Sequence, residues 1–183
     1  MFIQVELTPN PLTLKFIPGE YVTGSEPVNI PSKETAYKSP LAEELFKIQD
    51  VEGIFLGYDF ITVTKNEAAD WNILKAEILT TIMDFYVSGK AILNDKANTT
   101  IEVSSENDTD IVKQIKEIIE TRVRPAVAQD GGDIIFVEYE DGIVRLELHG
   151  ACSGCPSSTI TLKSGIENML KYYVPEVVAV EAV

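Results

Sequence analysis

The stretch IVRLELHGACSGCPSST at residues 143–159 contains a strand pattern, two cysteines and the start of a helix. Apolar and polar residues alternate at its beginning, which is typical of a strand with one buried face. Pro156 suits the first position of a helix, where the missing N–H would have no partner anyway. Cys152 and Cys155 are the only cysteines of the chain and lie between these elements. The stretch therefore predicts a strand, a turn that carries two thiols and a helix.

The residues around this stretch complete a small α+β domain. A helix with apolar residues at helical spacing precedes it, and Pro125 within that helix predicts a kink or an irregular last turn. Two strands, at residues 133–140 and 143–148, are joined by Asp141-Gly142, a strong hairpin signal. The helix after the cysteines and a closing strand at residues 177–182 give the order helix, strand, strand, helix, strand.

The front of the chain predicts a second domain with the order strand, strand, helix, strand, helix. Two alternating segments form a hairpin, and Ser39-Pro40 begins the first helix, which we expect Gly53 to end. Residues 54–64 are rich in β-branched and aromatic side chains and predict one strand. A longer helix follows and stops at Gly89.

A polar segment separates the two domains and is typical of a linker. We therefore predict an α+β protein with two small α/β domains, each a small sheet packed with two helices. The expected boundaries are residues 1–95 for the first domain, 96–107 for the linker and 108–183 for the second domain.

Composition limits the partners that the chain can have. The net charge is −14 and no run of Lys or Arg is present, which disfavours nucleic-acid binding. Apolar stretches end well before the roughly 20 residues that a membrane span requires, so we expect no membrane partner. The first residues alternate like a strand and resemble neither a signal nor a transit peptide, which predicts a cytoplasmic protein.

Cys152 and Cys155 are the candidate metal ligands. Pro156 places Cys155 near a helix N-terminus, which favours the thiolate, and we expect both cysteines to ionise readily. Ser157, Ser158 and Thr159 are candidate hydrogen-bond donors to a thiolate or to inorganic sulfide. Two thiolates are half of a tetrahedral metal site, however, so the remaining ligands have to come from elsewhere.

Three interpretations explain what the two cysteines could do. In the first, two copies of the chain supply the four thiolates of a 4Fe-4S cluster at a two-fold axis, and such an exposed cluster would be labile and suited to delivery. In the second, Cys152 and Cys155 form a thioredoxin-like dithiol oxidoreductase, although few residues follow them for such a fold. In the third, His149 joins the cysteines as a zinc ligand. No nucleophile and base set or glycine-rich phosphate loop is visible, which favours a protein that is not an enzyme.

Three segments of the second domain carry a resemblance to a known family: RPAVAQDGGD at 124–133, GACSGCPSS at 150–158 and LKYYVPEV at 170–177. They resemble the NifU C-terminal-like domain of Nfu proteins. TPNPLTLKF at 8–16, followed by Pro18-Gly19, is similar to the Nfu N-terminal domain. Nearly the whole chain is covered by the resemblance.

The resemblance implies an iron-sulfur scaffold or carrier. A 4Fe-4S cluster would be bound between two protomers through Cys152 and Cys155 of each and passed to apo-proteins. The partners implied are a second copy of the chain when the cluster is bound, recipient apo-proteins and an upstream cluster donor. No ligand role carries over to His149.

Overall fold

The computed structural model describes residues 1–24, 26–94, 108–154 and 156–183, the last range without the side chains of residues 156–158. The chain divides into two compact units, Met1–Thr99 and Thr100–Val183. The linker expected at residues 96–107 lies outside the described residues. Within the described residues, no helix combines the length and the apolar character that crossing a membrane requires.

The first unit contains a five-stranded antiparallel sheet with the strand order β1-β2-β5-β4-β3. Its elements are β1 (Gln4–Leu7), β2 (Thr13–Ile17), β3 (Val28–Ile30), a 3-10 helix (Lys33–Lys38), α1 (Pro40–Leu45), β4 (Val51–Leu56), β5 (Ile61–Lys65) and α2 (Trp71–Ser88). Both α-helices bury their apolar residues against alternate residues of the central strands, such as Leu14 and Phe16. This packing confirms the predicted small sheet covered by two helices.

The starts of both α-helices and the end of α2 follow local sequence signals. The Ser39 hydroxyl accepts a hydrogen bond from the Ala42 N–H, and Pro40 takes the first position of α1. Asp70 accepts a hydrogen bond from the Asn72 N–H at the start of α2. Gly89 ends α2 in the left-handed conformation, with φ of 67°, which glycine adopts without strain.

Two expectations for this unit are wrong. Residues 54–64 are not one strand, because the chain reverses between β4 and β5 at a turn closed by the Gly57 N–H and the Phe60 carbonyl, 2.8 Å apart. A Cβ at Gly57 would lie 2.5 Å from the Phe60 ring, so a larger residue at this position would require the ring to shift. Gly53 does not end α1 but lies within β4, because the helix stops at Leu45. Strand β3 was not anticipated at all.

The second unit contains a three-stranded sheet with the order β6-β7-β8. Its elements are α3 (Asp110–Ile118), a π-helical turn (Ile119–Val123), α4 (Arg124–Gln129), β6 (Gly132–Glu140), β7 (Ile143–Gly150), α5 (Pro156–Tyr173) and β8 (Ala179–Ala182). Strands β6 and β7 are antiparallel, whereas β7 and β8 are parallel and connected through α5. The sheet and the helices bury one shared apolar core, which extends to Cys152.

The local signals of the second unit are confirmed. The irregularity expected at Pro125 is present as the π-helical turn that precedes α4. Asp141 and Gly142, with φ of 50° and 82°, turn the chain between β6 and β7. Positive φ at both central residues is the geometry that joins twisted antiparallel strands most tightly. The fold is thus α+β in both units, as the sequence predicts.

Candidate metal centre

The cysteine loop, residues 151–155, connects the end of β7 to the start of α5. Gly150 ends β7 with φ of 65°, and its carbonyl accepts hydrogen bonds from the Ser153 N–H at 3.1 Å and the Ser153 hydroxyl at 3.0 Å. The Ala151 N–H donates to the Gly131 carbonyl at 3.1 Å. These bonds fix the described part of the loop against the turn between α4 and β6.

Cys152 points into the core of the second unit. Its residue surface is 5% exposed, and it belongs to the same buried cluster as Ile134 and Leu146. Its carbonyl accepts a hydrogen bond from the Thr159 hydroxyl at 3.3 Å. Thr159 therefore ties the first turns of α5 to the cysteine backbone, whereas the sequence predicted that its hydroxyl would donate to a thiolate or to inorganic sulfide.

Burial changes the ionisation of Cys152. Loss of solvent, with a smaller contribution from the carboxylates of Asp130 and Asp133, raises the pKa of the Cys152 thiol to about 12. The expectation that both cysteines ionise readily is therefore wrong for Cys152. The favourable field of a helix N-terminus cannot compensate, because Cys152 precedes α5 by four residues and lies in the core.

Gly132 makes room for the Cys152 side chain. A Cβ at position 132 would lie 2.7 Å from the His149 carbonyl oxygen and closer still to Cys152 Sγ. Real Cβ atoms essentially never come within 3.0 Å of a heavy atom to which they are not bonded. The sequence alone does not indicate this role of Gly132, because it depends on the hairpin register that pairs Gly132 with Gly150.

The start of β6 is held by an ion pair that the sequence did not predict. Arg124, the first residue of α4, donates to both carboxylate oxygens of Asp133 at 2.9 Å and to Glu120 at 2.7 Å. Asp133 is almost fully buried. Because Asp133 follows Gly132 directly, this pair fixes the strand against which Cys152 packs.

His149 does not join a group of metal ligands among the residues that the structure describes. Its Nε2 lies 2.7 Å from Glu147 Oε1 on the same strand. Among the described residues, no three His, Cys, Asp or Glu side chains form a group that could hold a metal ion. Cys155 lies outside the described residues, as do the side chains of Ser157 and Ser158, so their predicted roles remain predictions.

Both units match known protein families. Residues 3–89 match the family described as scaffold protein Nfu/NifU N terminal, and residues 115–181 match the NifU-like domain. A solved structure, that of a NifU-like protein from Saccharomyces cerevisiae, is 26% identical and covers 52% of this chain and 87% of its own, with a TM-score of 0.47.

Curated relatives match the whole chain. It is 52% identical over 184 residues to the human protein named NFU1 iron-sulfur cluster scaffold homolog, mitochondrial, and spans 72% of that protein. It is 50% identical over 185 residues to a protein of the same name from Drosophila sechellia, of which it spans 65%. The chain thus corresponds to about two thirds to three quarters of the length of these relatives.

These names overturn one expectation, the cytoplasmic location. Both relatives are named as mitochondrial proteins, and the alternating residues at the start of this chain form β1 of the first unit. The absence of a transit-peptide pattern there says nothing about where the protein works. The two family matches and the full-length relatives together show that the chain belongs to the Nfu family.

Proposed function

We propose that this protein is a non-catalytic scaffold and carrier of iron-sulfur clusters. It would bind a 4Fe-4S cluster between two protomers through Cys152 and Cys155 of each and transfer it to apo-proteins. The observation that carries the proposal is the position of the chain's only two cysteines in the unit that matches the NifU-like domain. The curated relatives, named as cluster scaffold homologues, support it.

The number of thiols supports a shared cluster. A 4Fe-4S cluster takes four cysteine thiolates, and one chain has two. A two-fold axis places the same loop of both chains at one point, so that the second copy supplies the missing ligands. Soft thiolates are also the ligands that iron-sulfur clusters select.

The same arrangement suits delivery. Each protomer would hold the cluster through two bonds, and separation of the protomers would remove half of the ligands. An upstream donor loads the cluster and apo-proteins with vacant cysteine sites accept it. The cluster is therefore cargo, and no bond of a substrate has to be broken by a catalytic group.

The position of Cys152 does not support the dithiol oxidoreductase. Attack on a disulfide requires a thiolate that the substrate can reach. Cys152 is buried and its pKa is raised, so this side chain is unsuited to attack from the position it occupies. From the names of the relatives we further propose that the protein works in mitochondria.

Anaerobic reconstitution with iron and sulfide tests the proposal. We expect a brown protein whose iron and sulfide are lost in Cys152→Ser and in Cys155→Ser, because each variant removes two of the four shared ligands. His149→Ala is the matched control and should retain the cluster. Loaded protein should also restore the absorbance of an apo 4Fe-4S recipient. Full iron binding by either serine variant would contradict the assignment of the ligands.

A further inference from the structure

A cluster shared between two chains needs sulfur atoms at the protein surface. Cys152 instead belongs to the buried core cluster that includes Ile134 and Leu146, and hardly any of the residue is exposed. A ligand in this position cannot reach a metal that a second chain also binds. The described conformation therefore differs from the one that the proposed function requires at Cys152.

The pocket that holds Cys152 is built into the fold. It exists because position 132 has no side chain, since a Cβ there would overlap Cys152 Sγ and approach the His149 carbonyl. Pairing of Gly132 with Gly150 brings β6 and the end of β7 together at this point. The bidentate contact of Arg124 with Asp133 holds the adjacent residue of β6 in place.

We infer that the cluster-free chain keeps Cys152 in a closed position, with its sulfur buried against Gly132, and that this side chain must move outward before a cluster binds. The inference rests on the proposed function for its purpose, but the closed position can be measured without any cluster. Gly132 is then a positioning residue for Cys152. The closed position would protect Cys152 from oxidation and from binding other metal ions while no cluster is bound.

The loop has a backbone that suits such a movement. Gly150 and Gly154, with φ of 65° and 81°, lie on either side of Cys152. Glycine passes between conformations that other residues reach only with strain. Among the contacts that outward movement would break are the bond from the Ala151 N–H to the Gly131 carbonyl and that from the Thr159 hydroxyl to the Cys152 carbonyl.

Alkylation of the cluster-free chain tests the closed position. Cys155→Ser leaves Cys152 as the only thiol, and its reaction with N-ethylmaleimide is followed by mass spectrometry in the presence of a chelator. We expect a rate at least about tenfold below that of the same chain unfolded in urea, because the thiol reacts only when the loop opens locally. A Cys152 that reacts as fast in the folded as in the unfolded chain would overturn the inference.

Two substitutions, each made in the Cys155→Ser chain, identify the role of Gly132. Gly132→Ala should raise the rate at least about fivefold, because the added methyl group displaces the sulfur from its pocket. Gly165→Ala is the control and should leave the rate unchanged, since a Cβ at that position of α5 would lie more than 4 Å from every described atom outside the adjoining residues and the surrounding helix backbone. Equal rates for the parent and a folded Gly132→Ala chain would contradict the assignment.

The dependence of the rate on urea covers the case in which Gly132→Ala does not fold. A local movement exposes little surface, so low urea concentrations should hardly change the alkylation rate of the parent chain. If the rate instead follows global unfolding measured by circular dichroism, Cys152 is released only when the domain unfolds, and the inference fails. Neither result depends on whether the protein binds a cluster.

Discussion

Arg124 and Asp133 form two parallel hydrogen bonds, each 2.9 Å long, that join the start of α4 to the start of β6. A guanidinium and a carboxylate in this arrangement fix both direction and distance. Asp133 is nearly buried and lies beside Gly132, against which the Cys152 side chain packs. The pair thus supports the wall of the candidate metal centre, although we propose neither residue as a ligand.

Removal of one partner of this pair should destabilise the second unit. Asp133→Asn leaves Arg124 without its main counter-charge, and we expect the free energy of unfolding to fall by about 3 kcal/mol. Glu120→Gln removes the exposed partner of the same arginine and should cost less than about 0.5 kcal/mol. Urea unfolding of both variants measures the difference. Equal losses of stability in the two variants would show that the buried Asp133 contributes no more to the ion pair than the exposed Glu120 does.

Ser39 should contribute to the stability of the first unit as a helix cap. Its buried hydroxyl accepts from the Ala42 N–H at 3.2 Å and donates to the Ile92 carbonyl. Ser39→Ala loses both bonds and should lower the free energy of unfolding by about 1–2 kcal/mol. Ser32 precedes the 3-10 helix without a side-chain cap bond, so Ser32→Ala is the control. A thermal or urea melt that ranks the two variants equally would contradict the cap assignment.

We expect the buried Tyr86 hydroxyl to make the folded protein less stable at high pH. Within the part of the chain that the structure describes, its buried hydroxyl has no hydrogen-bond partner, and burial raises the pKa of Tyr86 to about 12. Because the unfolded chain releases this proton near pH 10, the stabilising contribution is complete below pH 10 and is lost as the pH rises towards 12.

Tyr86→Phe should therefore weaken the decline in stability between pH 10 and 12, which urea unfolding at several pH values detects. At neutral pH this variant should be as stable as the parent chain or slightly more stable, because no hydrogen bond is lost. Tyr37→Phe, at an exposed position, is the control and should leave the decline unchanged. A steeper decline in Tyr86→Phe than in the parent would contradict the assigned cause.

Local signals made much of the fold predictable. Ser39-Pro40, Gly89 and Asp141-Gly142 act through their own backbone geometry, so the sequence alone locates helix ends and a hairpin. The chain reverses between β4 and β5 at a turn closed by the Gly57 N–H and the Phe60 carbonyl, which the run of β-branched and aromatic residues at 54–64 does not indicate. Strand β3 is three residues long, which is too short to show the alternation of apolar and polar residues that indicates a strand.

The position of the candidate site could be predicted from the sequence, but the burial of Cys152 could not. Sequence spacing located Cys152 between β7 and α5, and the family resemblance implied its role as a ligand. Its burial depends on the hairpin register, which brings Gly132, twenty positions earlier in the chain, next to it. Contacts of this kind arise only when the strands pair, so the closed position could not be inferred from the cysteine motif.

Native mass spectrometry of the anaerobically reconstituted protein tests the shared cluster most directly. The account predicts a dimer that carries about four iron and four sulfide ions in total and separates into monomers when the cluster is lost. A monomer that holds the same cluster without added thiols would contradict the sharing of Cys152 and Cys155 between two chains.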